Sequence, residues 1–85
     1  MKPRKDLIVR YVEGETVILD RSVGHLHTLN ATASFIWHQM DGNKTEHDIA
    51  REVSDTFNIE FGVAEKDVAT VINDMRDLKL MQNGG

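Results

Sequence analysis

The spacing of apolar residues changes once along the chain, at Asn30, and this change limits the possible folds more than any other feature. Before Asn30 the apolar residues alternate in short runs, which is typical of β-strands. After Asn30 they recur every three or four residues, which is typical of amphipathic helices. The sequence therefore predicts an α+β fold in which a small sheet precedes a set of helices.

The first third of the chain predicts three short strands connected as a β-meander. The apolar runs cover residues 7–12, 16–19 and 25–29. Gly14 lies between the first two runs, where its access to positive φ favours a tight hairpin turn. Residues 20–24 form the loop before the third strand.

The rest of the chain predicts three helices. Asn30 is a favourable N-cap for the first, and Gly42 is expected to end it in a left-handed conformation. Thr45 is expected to cap the second helix, with Asp48 in the third position as in a capping box. The third helix is predicted from about residue 64 to 78. The stripes expected to be buried are Ile49, Ala50, Val53 and Phe57 in the second helix, and Val68, Val71, Ile72, Met75 and Leu78 in the third.

This order of elements is typical of a winged helix-turn-helix-like domain, with a three-stranded antiparallel sheet followed by three helices. The loop between the second and third helices, at residues 58–62, is expected to be longer than a tight turn. At 85 residues the chain is expected to form a single domain, residues 1–85, with an ordered core from about 6 to 81. The basic residues Lys2, Arg4 and Lys5 are assigned to a solvated tail.

The composition excludes several kinds of functional site and membrane segment. The chain has no cysteine, which excludes disulfides, thiolate zinc sites and cysteine nucleophiles. No apolar run predicts a membrane span or a signal peptide, so we expect a cytoplasmic protein that does not bind a membrane.

The sequence also lacks a complete set of side chains for a metal site or a catalytic site. His25 and His27 share one strand face, but a zinc site needs a third ligand, and none has motif-like spacing. No nucleophile is paired with a base and an orienting group. We therefore predict no metal, no cofactor and no enzyme activity.

Charge distinguishes two kinds of partner. A winged helix that binds DNA presents Lys, Arg, Asn or Gln to phosphates and base edges. Residues 65–79 of the third helix instead carry a net charge of −1, within a chain of net charge −4. Because phosphate contacts dominate affinity for nucleic acid, a DNA-binding transcriptional regulator is only the alternative interpretation, and no nucleic acid partner is predicted.

An extended peptide is the preferred partner. If the third strand lies at the sheet edge, a peptide could pair with its free backbone groups while its side chains rest on the third helix. Val71 and Leu78 lie at one margin of the helix stripe and Ile72 at the other, and the sequence leaves open which margin faces the strand. The predicted contacts are His25, Leu26, His27, Thr28 and Leu29 on the strand, and Asp67, Val71, Asp74, Met75 and Leu78 on the helix.

Several short motifs resemble the PqqD-like family, whose domain is known as the RiPP recognition element. Each motif alone is degenerate, but their order and spacing together are specific. The resemblance covers about residues 17–81 and implies a winged-helix-like module of three strands and three helices. The motifs are Leu29-Asn30, Ile36-Trp37, Asp41-Gly42, Thr45, Ile49-Ala50, Asp67-Val68, Leu78 and Leu80-Met81.

The resemblance also implies a function. Such modules act as peptide chaperones: they bind the leader segment of a ribosomally made precursor peptide and present it to a modifying enzyme, often a radical SAM protein. By this likeness the leader adds as a strand beside residues 26–29 and packs on Val71, Met75 and Leu78.

The segment before the Leu29-Asn30 pair departs from one branch of the family. Members that serve pyrroloquinoline quinone synthesis usually have Pro-Glu-Gly there, whereas this chain has Ser22-Val23-Gly24-His25. The pathway is therefore left open between pyrroloquinoline quinone, a lasso peptide and another modified peptide. A monomer and a homodimer are left open as well.

Overall fold

The computed structural model describes residues 2–82, and it confirms a three-stranded antiparallel sheet followed by three helices. Within these residues no helix is long and apolar enough to cross a membrane. The elements are β1 (Ile8–Val12), β2 (Glu15–Asp20), β3 (His25–Leu29), α1 (Ala31–Gln39), α2 (Glu46–Phe57) and α3 (Phe61–Asp77).

The sheet has the strand order β1–β2–β3, so β1 and β3 are its two edges. Val12 and Glu15 pair directly across the first hairpin, which leaves a turn of two residues. Glu13 and Gly14 have φ of 51° and 82°, the positive values that a type I′ turn requires at both positions. The predicted tight hairpin is therefore confirmed.

Cross-strand pairs assign the two faces of the sheet. Ile18 pairs with Val9 of β1 and His27 of β3, and it is fully buried, so this row faces the helices. Residues directly opposite each other in a sheet point to the same face. The neighbouring row, Ile8–Leu19–Leu26, therefore faces away from the helices, and Leu26 is 65% exposed.

The predicted helix caps are confirmed at Asn30 and Thr45. The Asn30 side chain accepts a hydrogen bond from the Ala33 N–H at 2.9 Å. Thr45 and Asp48 form a reciprocal capping box, with both side-chain-to-backbone distances at 3.1 Å. Because each cap satisfies an N–H group that the helix leaves free, these two residues set where α1 and α2 begin.

Gly42 is left-handed as predicted, but α1 ends one residue earlier than a left-handed cap at Gly42 implies. The helix ends at Gln39, and Gly42 has its positive φ, 90°, in the turn that follows. The carboxylate of Asp41 accepts the N–H groups of Asn43 and Lys44, at 2.8 and 3.1 Å. These local bonds compete with the helical pattern and turn the chain away.

The connection between α2 and α3 is shorter than predicted. α3 begins at Phe61 rather than near residue 64, so only residues 58–60 connect the helices. Asn58 adopts a left-handed conformation, with φ of 54°, which asparagine tolerates better than most residues. The Ser54 hydroxyl donates to the Ile59 carbonyl at 2.6 Å and closes the turn. The pair is therefore a compact helix-turn-helix.

The core lies between the inner face of the sheet and the three helices. Most of the predicted stripes are buried, but Phe57 is exposed and contacts Phe35 edge-on, with ring centres 5.4 Å apart. The stripe of α3 divides, since Val71 is half-buried and Leu78 is exposed. The buried apolar residues are Ile18, Ile36, Trp37, Met40, Ile49, Ala50, Val53, Ala64, Val68, Ile72, Met75 and Leu80.

The N-terminal segment is not the solvated tail that the sequence predicts. The Arg4 N–H donates to the Leu80 carbonyl at 2.9 Å, and the Gln82 N–H donates to the Lys2 carbonyl at 2.8 Å. The Arg4 guanidinium also donates to Asp20 at 2.8 Å. The prediction fails here because each partner is distant in sequence, so no local pattern indicates the contact.

Candidate peptide-binding site

β3 is an edge strand, as the peptide hypothesis requires. Within residues 2–82 it pairs only with β2, so the backbone groups on its other side face no strand. An exposed edge of this kind is a template for pairing with another extended chain. The strand extends from His25 to Leu29, and at its end the Leu29 carbonyl accepts a hydrogen bond from the Ser34 hydroxyl at 3.2 Å.

β3 and α3 do not pack on one another, and the space between them is here called the groove. No Cα atom of β3 lies within 8 Å of a Cα atom of α3, whereas α3 packs closely on α2. Arg4 connects the two walls at one end, because its guanidinium donates to Asp20, opposite His25, and to the Lys79 carbonyl just after α3, at 2.8 and 3.0 Å. Arg4 therefore links the start of β3 to the end of α3.

The five predicted residues of β3 divide between the two faces of the sheet. His25, His27 and Leu29 lie opposite Asp20, Ile18 and Thr16, so they face the helices and the groove. The alternating pleat points Leu26 and Thr28 to the outer face. A peptide could therefore pair with the backbone edge of β3, but the side chains of β3 lie on two different faces of the sheet.

The two histidines stand next to each other on the groove face. Their rings meet edge-on with centres 6.1 Å apart. The Nε2 atom of His27 is buried and has no hydrogen-bond partner within the described residues. Within residues 2–82 no group of three or more His, Asp or Glu residues could hold a metal ion. The nitrogen is therefore a polar group for which residues 2–82 supply no partner.

Four of the five predicted residues of α3 come together on one margin of the helix. Asp67, Val71, Asp74 and Leu78 fall within an arc of about 60° at 3.6 residues per turn. Leu78 is 46% exposed and Val71 half-buried, and the two aspartates are exposed. Met75 lies beneath this margin in the core, 2% exposed.

The opposite margin of α3 faces α2. There Arg76 Nη2 lies 3.9 Å from Glu46 Oε1 at the start of α2. The margin with Val71 and Leu78 consequently faces away from α2. That this margin, rather than the one with Ile72, meets a peptide beside β3 stays a prediction.

Sequence reasoning missed two residues that hold the groove together, Arg4 and Asp20. Asp20 is buried and accepts hydrogen bonds from the Ser22 hydroxyl at 2.7 Å, the Ser22 N–H at 3.1 Å and Arg4. The Ser22 hydroxyl and the Arg4 guanidinium hold the pKa of Asp20 below its ordinary value. The alternation of Thr16, Ile18 and Asp20 was the available signal, because it places Asp20 on the inner face.

A family model matches residues 15–81 of the chain, and its description is Coenzyme PQQ synthesis protein D (PqqD). The chain belongs to the PqqD family. The predicted resemblance is thus confirmed over most of the chain. A search of curated proteins found no match to the sequence.

Two solved structures share the fold of this PqqD-family chain. One is TbiB1 in complex with the TbiA(beta) leader peptide, with a TM-score of 0.87 and 19% identity over 100% of this chain and 99% of that chain. The other is lasso peptide synthetase B1 complexed with the leader peptide, with a TM-score of 0.80 and 24% identity over 89% of each chain. At these identities the similarity establishes the fold.

Proposed function

We propose that this PqqD-family chain is a non-catalytic module that binds the leader segment of a ribosomally made precursor peptide and brings it to a modifying enzyme, such as a radical SAM protein. The observation that carries the proposal is the free edge of β3 beside the groove to α3. The two structurally similar proteins are both complexes with leader peptides, which supports the same class of ligand here. The leader would add to the sheet as a fourth strand.

The lengths of the two groove walls agree with the predicted contacts on α3. The five residues of β3 span about 17 Å at 3.3 Å per residue. On a helix that rises 1.5 Å per residue, the same length is about 11 residues. Counted back from the end of α3 at Asp77, this segment reaches Asp67. In the proposed complex the added strand runs back along α3 from this end and lies on the part that carries Val71 and Leu78.

Backbone pairing alone does not supply a useful affinity. Each new backbone hydrogen bond contributes about 1 kcal/mol net, whereas a micromolar dissociation constant needs about −8 kcal/mol. We therefore assign part of the affinity to apolar leader side chains that cover Val71 and Leu78. The unpaired Nε2 of His27 is one further group that a leader in the groove could satisfy.

The charge of α3 favours a peptide over DNA. Its exposed surface carries Asp67, Asp74 and Asp77, which repel phosphates. The same carboxylates leave an uncharged strand unaffected. No observation favours a DNA-binding function, and none is proposed.

Alternate backbone methylation of the leader tests strand addition directly. The probe is a fluorescein-labelled synthetic leader peptide, taken from a short open reading frame found near this gene, and each N–H in turn is replaced by N-methyl. In an added strand only every second N–H bonds to β3, so we expect affinity losses at alternate positions. Losses at consecutive positions, or none, would contradict strand addition.

Amide chemical shifts of the protein locate the binding site of the leader. Addition of the unmodified leader should shift the resonances of residues 25–29 and of α3 from Asp67 onward. Shifts confined to α1 and α2 would contradict the groove as the site, even if the peptide binds.

A further inference from the structure

A cleft of about 930 Å³ lies at the end of the domain where the β2–β3 loop meets the end of α3. Its lining includes Ser22 from the loop, Met81, and five charged residues. Although the chain has a net charge of −4, four of its ten Lys and Arg residues lie in this cleft against one acidic residue. The charged lining residues are Arg4, Lys5, Asp6, Arg76 and Lys79.

The cations of the cleft differ in how far they are neutralised. Arg4 is paired with Asp6 and Asp20, so it serves the structure. Arg76 meets Glu46 only at 3.9 Å, with both side chains about half exposed, and such pairs are weak. Within residues 2–82, Lys5 and Lys79 have no carboxylate oxygen within 4.0 Å. Two lysines and a weakly paired arginine thus remain available to an anion.

Lys79 occupies a backbone position that disfavours a side chain. The Leu80 N–H donates to the Met75 carbonyl and the Lys79 N–H to the Arg76 carbonyl, at 3.0 and 2.9 Å, which is a Schellman motif. Lys79 has φ of 60° in this motif, where glycine is usual because a Cβ atom is strained. The chain therefore has a lysine beside the cleft at a position where glycine would make the fold more stable.

We propose that this cleft binds the carboxylates of an acidic segment of the precursor, next to the residues that add to β3. The inference rests on the proposed function. Arg4 joins Asp20, opposite the start of β3, to Lys79, so the cleft lies at the His25 end of the groove. A peptide that continues past His25 reaches it, and carboxylates form strong charge-assisted hydrogen bonds with Lys and Arg.

A short acidic peptide tests the cleft without the leader. The probe is acetyl-tetraglutamate amide, added to the full-length protein labelled with ¹⁵N, with acetyl-tetraglutamine amide as the uncharged control. We expect the amide resonances of Lys5, Ser22 and residues 76–82 to shift. The dissociation constant should be at least threefold larger in 200 mM than in 20 mM NaCl. Equal shifts with tetraglutamine, or shifts spread evenly over the remaining Lys and Arg residues, would overturn the proposal.

Two variants of equal net charge test whether tetraglutamate binds in the cleft. Lys79→Gln should weaken tetraglutamate binding at least threefold, whereas Lys66→Gln, which lies on α3 outside the cleft, should leave it unchanged. Lys79→Gly should weaken binding as well, yet raise Tm by roughly 4–8 °C, because it relieves the strained backbone. Equal effects of Lys66→Gln and Lys79→Gln would overturn the assignment.

Two further arms identify the ligand and separate the hypotheses. Inorganic phosphate that shifts the same residues with equal affinity would indicate a free-anion site and overturn the peptide assignment. A leader that binds β3 while tetraglutamate shifts nothing would overturn the cleft alone. Tetraglutamate binding without leader binding would instead contradict the proposed function.

Discussion

Leu78 offers the most direct test of the groove, because a bound leader would cover a side chain that the chain itself leaves 46% exposed. Complete burial of a leucine contributes about 1.5–3 kcal/mol. Covering the exposed 46% would therefore contribute about 0.7–1.4 kcal/mol to binding. Leu78→Ala removes most of this contact, so we expect the dissociation constant of the leader to rise roughly three- to tenfold.

Val63→Ala is the matched control for this measurement. Val63 lies on the same helix and is 48% exposed, but it is about 22 Å from Leu78 along the axis, beyond the length of β3. Fluorescence anisotropy of the labelled leader gives both dissociation constants, and fluorescence of the single, buried Trp37 in urea gives both stabilities. Unchanged affinity in Leu78→Ala, or an equal loss in Val63→Ala, would refute the groove as described.

Three further predictions concern stability, each measured by urea unfolding. The pKa of Asp20 in the folded protein is lowered. Its contribution to the free energy of unfolding is therefore complete above the ordinary carboxyl pKa near 4, and it is lost as the pH falls through the pKa of the folded state. Unfolding free energies from pH 7 to 2 should therefore fall less steeply in Asp20→Asn than in the parent chain. Glu13→Asn should stabilise the hairpin by about 0.5–1 kcal/mol, since asparagine tolerates the φ of 51° better, and an unchanged midpoint would contradict this. Met75→Ala should destabilise by about 2–5 kcal/mol, because Met75 is core, and a change as small as that of a surface residue would contradict its burial.

Local chemistry explains which parts of the fold the sequence could predict. The caps at Asn30 and Thr45 and the hairpin at Gly14 depend on residues within three positions of each other, and all three are confirmed. The beginning of α3 was missed because Gly62 is a poor helix former, although it lies inside the helix. Packing of α3 on α2 overrides that local preference.

Long-range contacts explain what the sequence could not predict about the site. A meander of three strands joined by two hairpins allows the third strand to be an edge, and the structure shows that it is one. The margin of α3 that faces α2 depends on the Arg76–Glu46 contact, and the link between the start of β3 and the end of α3 depends on Arg4 and Asp20. Side chains such as Leu78 and Met75 share one helical stripe, so only the packing reveals that the first is exposed and the second buried.

The outer row Ile8–Leu19–Leu26 has a consequence for the sequence of the partner. A strand added at β3 would place one residue beside Leu26 in this row, while its two neighbours would point into the groove. Apolar side chains would suit all three places, because Leu26 is 65% exposed on one face and Leu78 is exposed on the other. The matching leader would thus contain three consecutive apolar residues, rather than the strict alternation of a strand that is buried on one side. This pattern could identify the precursor among short open reading frames.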